Sequence, residues 1–114
     1  MVRRKPYVPD RGDLIWLEFD PQTGREQAGH RPALVLSPKA YNQATSLALA
    51  CPVTSKVKGY PFETPLPSGL KVTGVVLSDQ VKSLDWRARK ATFAGQVPTE
   101  VVTDVLAKIE TLLG

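Results

Sequence analysis

Between Glu26 and Pro32 the chain reads Glu-Gln-Ala-Gly-His-Arg-Pro, which places a carboxylate, an amide, an imidazole and a guanidinium side by side. Gly29 in their midst permits a close backbone approach to a ligand. The Arg31 guanidinium is a planar, permanently charged fork that suits phosphate oxygens, and the His30 imidazole can move a proton near neutral pH. Glu26 and Gln27 add an acceptor and an amide. Such a set suits a phosphodiester. A 2′-OH attacks the adjacent phosphorus, negative charge develops on the phosphoryl oxygens, and the departing 5′ oxygen needs a proton.

A second group follows downstream. Thr54, just after Cys51-Pro52-Val53, could donate its hydroxyl to a phosphate, and the loop from Val53 to Pro61 carries Lys56, Lys58 and Tyr60. Trp16, Tyr60, Phe62 and Trp86 could stack on bases, because every base has a π face. Trp16 falls within an apolar run that suits a core, so Tyr60 on the basic loop is the better stacking candidate. Ordinary roles stay open: Arg31 in a surface ion pair, His30 as a hydrogen-bonding loop residue, Thr54 as a turn residue, and Glu26 as a solvated carboxylate.

The elements that would position these groups can be read from the pattern. Asp13–Phe19 is a short run of aliphatic and aromatic residues, and predicts a first strand that ends at Asp20-Pro21. Asp20 to His30 has the composition of a loop, with Pro21, Thr23-Gly24 and Gly29 among polar residues. It is long for a hairpin connection, and long ordered loops often carry function. Strand two is expected at Ala33–Ser37, entered through Arg31-Pro32 with Pro32 at its start. One helical turn is expected over Pro38–Gln43, and strand three over Ser46–Cys51, stopping at Pro52. Phe62–Leu66 reads as an edge strand because of Pro65, and Val72–Leu77 as the next. Two more are expected from Asp79 to Val97, joined around Ser83-Leu84-Asp85, with Arg87 to Ala91 open to a helical turn. From Thr99, a candidate cap, Val102, Val105, Leu106, Ile109, Leu112 and Leu113 recur with helical period. Several short strands and one packing helix predict a mainly β small barrel, since closing the sheet removes exposed edges.

The 114 residues, 42% of them hydrophobic, fit one domain, residues 1–114, with a modest core. Fifteen Lys and Arg against eleven Asp and Glu give a net charge of +4, which modestly favours an anionic partner such as nucleic acid. A single cysteine, Cys51, and a single histidine exclude an internal disulfide and a Cys/His zinc cluster, and fit a reducing cytoplasm. The basic N-terminus runs into Pro9, Asp10 and Asp13 rather than an apolar stretch, so no signal peptide is expected. Nor does any apolar stretch approach the ~20 residues of a membrane span.

In order along the chain, Gly12 to Trp16, Glu26 to Ser37, Cys51 to Thr54, Gly59 to Phe62 and Ser78 to Trp86 resemble the MazF/PemK family of mRNA interferases. The resemblance runs from about Tyr7 to the terminal helix. It implies an SH3-like small barrel, mainly β with a C-terminal helix, working as a homodimer with RNA near the subunit interface. It implies the toxin of a type II toxin–antitoxin system, a sequence-specific endoribonuclease that uses no metal or other cofactor. Single-stranded mRNA would be cut to 2′,3′-cyclic phosphate and 5′-OH ends, with ACA-containing sites preferred among similar proteins. Arg31 and Thr54 map onto the catalytic positions, and Glu26, Gln27 and His30 onto the substrate site. The cognate partner would be a MazE-like antitoxin whose acidic tail covers the RNA groove. Lys56, Lys58 and Lys82 are candidate contacts for either polyanion. Gyrase-poisoning CcdB toxins share the barrel but lack the Arg/Thr pair and use a C-terminal tryptophan, whereas this chain ends Leu112-Leu113-Gly114. A barrel that only binds RNA is a third reading.

Overall fold

The structure is a computed structural model that describes residues 6–19 and 29–114. In chain order it comprises β1 (Asp13–Phe19), β2 (Gly29–Val35), α1 (Lys39–Thr45), β3 (Leu47–Thr54), β4 (Glu63–Pro65) and β5 (Val75–Leu77). A 3₁₀ turn (Ser78–Gln80), β6 (Lys82–Asp85), β7 (Thr92–Gln96) and α2 (Thr99–Leu113) follow. Every strand pairing is antiparallel. The sheet runs β4-β5-β3-β2-β1-β7, with β6 also paired to β3. Its path ends at β4 and β7 without closing, so the small-barrel class holds but the hydrogen-bonded closure expected from the strand count does not. β4 is the predicted edge strand, short and ending on Pro65, features that blunt an open edge.

Both faces of β1 over residues 14–17 and of β2 over residues 33–35 pack into a core. Leu14 and Leu34 join Cys51, Val53, Val76 and the α2 residues Val101, Val102 and Val105 in one core. Ile15, Leu17, Ala33 and Val35 join Ala48, Ala50 and Trp86 in another. That is why β1 reads as an unbroken apolar run rather than an alternating one. The second core is tied down by Asn42, fully buried on α1, whose amide donates to the carbonyls of Pro9 and Ser37 at 2.8 and 3.0 Å. The Asn42 carbonyl accepts the Trp86 indole N–H at 3.0 Å. Trp86 is only 4% exposed, so it is a core residue and not a base-stacking one.

Several boundaries differ from the sequence expectation, each for a physical reason. β2 starts at Gly29, so His30 and Arg31 lie inside a strand rather than in the loop or at its boundary, and Pro32 is mid-strand opposite Trp16. The β2–β3 ladder begins only at Ala33, so the edge of Pro32 that faces away from β1 has no ladder for the missing N–H to break. β3 continues through Pro52 to Thr54. Its partner segment pairs at Val75 and Val76, and again from Lys82, with the 3₁₀ turn between. Pro52 therefore faces an interruption, a place where proline is tolerated. β5 begins at Val75 rather than Val72, after Gly74 at φ +120°, a conformation that L side chains rarely adopt.

Ser83 to Asp85 belong to β6, and the joint with β7 is the turn over residues 86–90. There Asp85 accepts the Ala88 N–H and the Ser46 hydroxyl, which hold its carboxyl below the usual carboxylate range. Thr99 is the first residue of α2, whose N-cap position is Pro98, with no side-chain cap. Half of the predicted apolar stripe faces solvent: Leu106, Leu112 and Leu113 are exposed, while Val102 and Val105 are buried and Ile109 is half-buried against them. No helix among the described residues is long and apolar enough to cross a membrane.

Candidate functional site

The β2–β3 register places the two principal candidates on one face. Ala33 pairs with Pro52, Leu34 with Cys51 and Val35 with Ala50, and two residues beyond the last pair on each strand come Arg31 and Thr54. Side chains alternate along a strand, so Arg31 lies on the face of Ala33 and Val35, and Thr54 on that of Ala50. Those three alanine and valine side chains belong to one core, so Arg31 and Thr54 emerge on the same face at the same end of the strand pair. Arg31 is exposed and Thr54 half-buried. Rigid strands hold both, which suits a group that must meet a developing charge.

Thr54 ends β3 in register with Val75. Its hydroxyl oxygen accepts the Lys56 N–H at 3.1 Å, which leaves the hydroxyl hydrogen to be donated elsewhere. From Thr54 the chain folds around a pocket of about 190 Å³ bordered by Lys56, Lys58, Tyr60, Phe62, Asp79 and Gln80. The Lys58 ammonium lies 5.8 Å from the Tyr60 ring centroid, within cation–π range. Tyr60 is 59% exposed and available for stacking. The loop is shaped by Glu63, a buried carboxylate on β4 that accepts the backbone N–H groups of Lys58 and Gly59.

Other candidates are dispersed. His30 is on the opposite face of β2 from Arg31, 3.6 Å from the Glu18 carboxylate and beside the Trp16 ring at 6.4 Å. Lys82 pairs with Ala50, four residues back along β3 from Thr54, or roughly 13 Å at a strand's rise, and lies outside the pocket. Glu26 and Gln27 lie outside the described residues. Cys51 beneath the site is inert: burial first, then the Asp79 charge, pushes its thiol up to about 12. Among the described residues no three His, Cys, Asp or Glu side chains come together as a metal site.

Glu63, Gly74, Asp79 and Gln80 were not singled out from sequence. Glu63 left one signal, an acidic residue inside the predicted edge strand Phe62–Leu66.

The arrangement defines a class: a small β-sheet protein with an Arg/Thr pair at a strand end and a basic, aromatic-bordered pocket beside it, able to grip a nucleic-acid phosphate and stack a base. Residues 10–113 match the family of PemK-like, MazF-like toxins of type II toxin–antitoxin systems, and the chain belongs to that family. It is 57% identical to the endoribonuclease toxin MazF of Escherichia coli K12 over 114 residues, all of both chains. With the Escherichia coli endoribonuclease PemK it shares 36% identity, over 99% of this chain and 87% of that one. A MazE–MazF crystal structure from Deinococcus radiodurans superposes with a TM-score of 0.92 at 58% identity, covering 96% of this chain and 98% of that one.

Proposed function

We propose that the chain works as an endoribonuclease, the toxin of a type II toxin–antitoxin pair, and that Arg31 and Thr54 carry the reaction. The observation that supports this is the strand register that puts these two residues on one face of β2 and β3, with Thr54 lining the basic pocket. Single-stranded RNA lies along Lys56, Lys58 and Tyr60, with a base against the tyrosine ring and the scissile phosphate at the strand end. The 2′ oxygen forms a bond to phosphorus and gives up its proton, the bond from phosphorus to the 5′ oxygen breaks, and that oxygen takes a proton. The products are a 2′,3′-cyclic phosphate and a 5′-OH. Arg31 stabilises the charge that builds on the phosphoryl oxygens, since a guanidinium offers five N–H donors and no acceptor. Thr54 donates a hydrogen bond to the same phosphate.

The family reading extends to partners and place. The chain acts in the cytoplasm as a homodimer, and an antitoxin with an acidic tail covers the Lys56, Lys58 and Lys82 surface. The named MazE–MazF complex of the Deinococcus radiodurans relative supports such a partner. Light scattering at micromolar concentration tests the dimer, and a monomer counts against it. Incubating the purified protein with mixed-sequence RNA and mapping the new 5′ ends tests the activity. Discrete 5′-OH ends within a shared short sequence are expected, and intact RNA would overturn the reading in favour of a non-enzymatic barrel.

A further inference from the structure

Beside the Arg31 and Thr54 pair, the least explained group in the molecule is the Glu63 carboxylate. It is 8% exposed, sits on an edge strand and points back into the loop that precedes it. One of its oxygens accepts the Gly59 N–H at 2.9 Å and the other the Lys58 N–H at 3.1 Å. Gly59 adopts φ +81°, the left-handed conformation that turns successive N–H groups toward one anion. The Glu63 N–H closes the same loop by donating to the Tyr60 carbonyl at 3.1 Å. Lys108 of α2 donates to the Glu63 carbonyl at 2.9 Å and to the Thr64 hydroxyl at 3.1 Å, and pairs with Asp104 at 2.7 Å. The terminal helix thus fixes Glu63, and Glu63 fixes the segment from Lys58 to Tyr60.

We propose that Glu63 is a positioning residue for the RNA-cleaving site: its carboxylate clamps the Lys58–Gly59 backbone and so sets Lys58 and Tyr60 in place to receive the substrate strand. This rests on the ribonuclease reading above. A purely electrostatic role makes the opposite prediction. Removing a negative charge from beside Lys56 and Lys58 would by itself strengthen binding of a polyanion. A clamp predicts weaker binding despite the gain in net positive charge, because a Gln amide offers one acceptor oxygen where the carboxylate offers two.

The test compares wild type, Glu63→Gln and Gly59→Ala, using cleavage kinetics on an RNA oligonucleotide and fluorescence anisotropy with its all-2′-deoxy analogue. Melting curves for each protein place the assays well below unfolding. Glu63→Gln is expected to raise KM and weaken analogue binding roughly tenfold, with kcat within about twofold of wild type. Gly59→Ala, at an exposed position where an added Cβ meets nothing within 4 Å, is expected to shift KM the same way. It isolates the loop conformation if Glu63→Gln fails to fold. Unchanged or tighter analogue binding in either folded variant overturns the clamp and leaves the ribonuclease reading intact. A wild-type protein that neither cleaves the RNA nor binds the analogue overturns both.

Discussion

The backbone of Gly74 lies so close to Thr54 that a Cβ at position 74 would stand 2.1 Å from the Thr54 carbonyl oxygen and 3.0 Å from the Ser55 Cα. The obstructing atoms are backbone, so no side-chain rotation relieves the contact. Gly74 also holds φ +120°, and its carbonyl accepts the Leu66 N–H at 3.0 Å. Gly74→Ala must therefore separate the start of β5 from the end of β3 that carries Thr54. Overpacking of this kind is expected to lower the melting temperature by roughly 5 °C or more. It is also expected to reduce cleavage at least ~10-fold, measured well below the melting point, because an ångström of misplacement at a reacting group is costly. Wild-type cleavage by a folded Gly74→Ala protein would overturn the coupling of Gly74 to the Thr54 end of β3.

The two lysines of the pocket rim should govern the salt dependence of RNA binding. Each phosphate contact on a single strand contributes roughly −0.7 to the log–log slope of affinity against salt. Changing Lys56 and Lys58 together to Gln should flatten that slope by about 1 to 1.5, read by titrating a labelled 2′-deoxy analogue at several salt concentrations. The same double variant should lose affinity for an acidic antitoxin peptide if both polyanions share the surface. An unchanged slope would mean that stacking on Tyr60 carries the binding.

How much of this was legible in the sequence depended on whether the deciding contact was local. β1 and α2 were read to within a residue because an apolar run and a helical period are local patterns. Arg31 and Thr54 were proposed from their chemistry, but the face they share is a matter of strand register, set by pairs fifteen to nineteen positions apart. Prolines misled: Pro32 and Pro52 read as a strand start and a strand stop, yet each sits where a neighbouring ladder is absent or broken. His30 read as part of one site with Arg31, and alternation on a strand put them on opposite faces. Glu63 and Gly74 were missed because one holds a loop through backbone amides and the other exists to let another backbone pass.

Alkaline pH gives a test of the core beneath the site. The Cys51 thiol is raised from 9.0 to about 12, chiefly by burial. Between those values the unfolded chain gives up a proton that the folded chain keeps, so stability falls as pH rises through that window. Burial and the hydrogen bond to Asp13 also raise the Tyr7 hydroxyl, which adds to the same trend at higher pH. Melting temperature should decline above about pH 9, less steeply in Cys51→Ala. The native thiol should also resist iodoacetamide at pH 8 and react on unfolding. Rapid native labelling would contradict the buried, protonated thiol.

If Arg31 and Thr54 supply the charge and the hydrogen bond at the phosphate, cleavage should persist in excess EDTA. It should stop when the 2′-OH of the scissile nucleotide is replaced by hydrogen, because the nucleophile is then gone. EDTA-sensitive cutting, or efficient cutting of that deoxy substrate, would place the chemistry elsewhere.

Arg31 and Thr54, on one face of β2 and β3, are proposed to act together on the scissile phosphate. Single-turnover cleavage of one RNA oligonucleotide by wild type, Arg31→Ala and Thr54→Ala tests it most directly, with folding of each variant verified by its melting curve. The expected result is a 2′,3′-cyclic phosphate product from wild type and a loss of well over ~10²-fold in rate for each variant, the usual effect of removing a charge-stabilising donor. A folded Arg31→Ala protein that cleaves at near wild-type rate would contradict it.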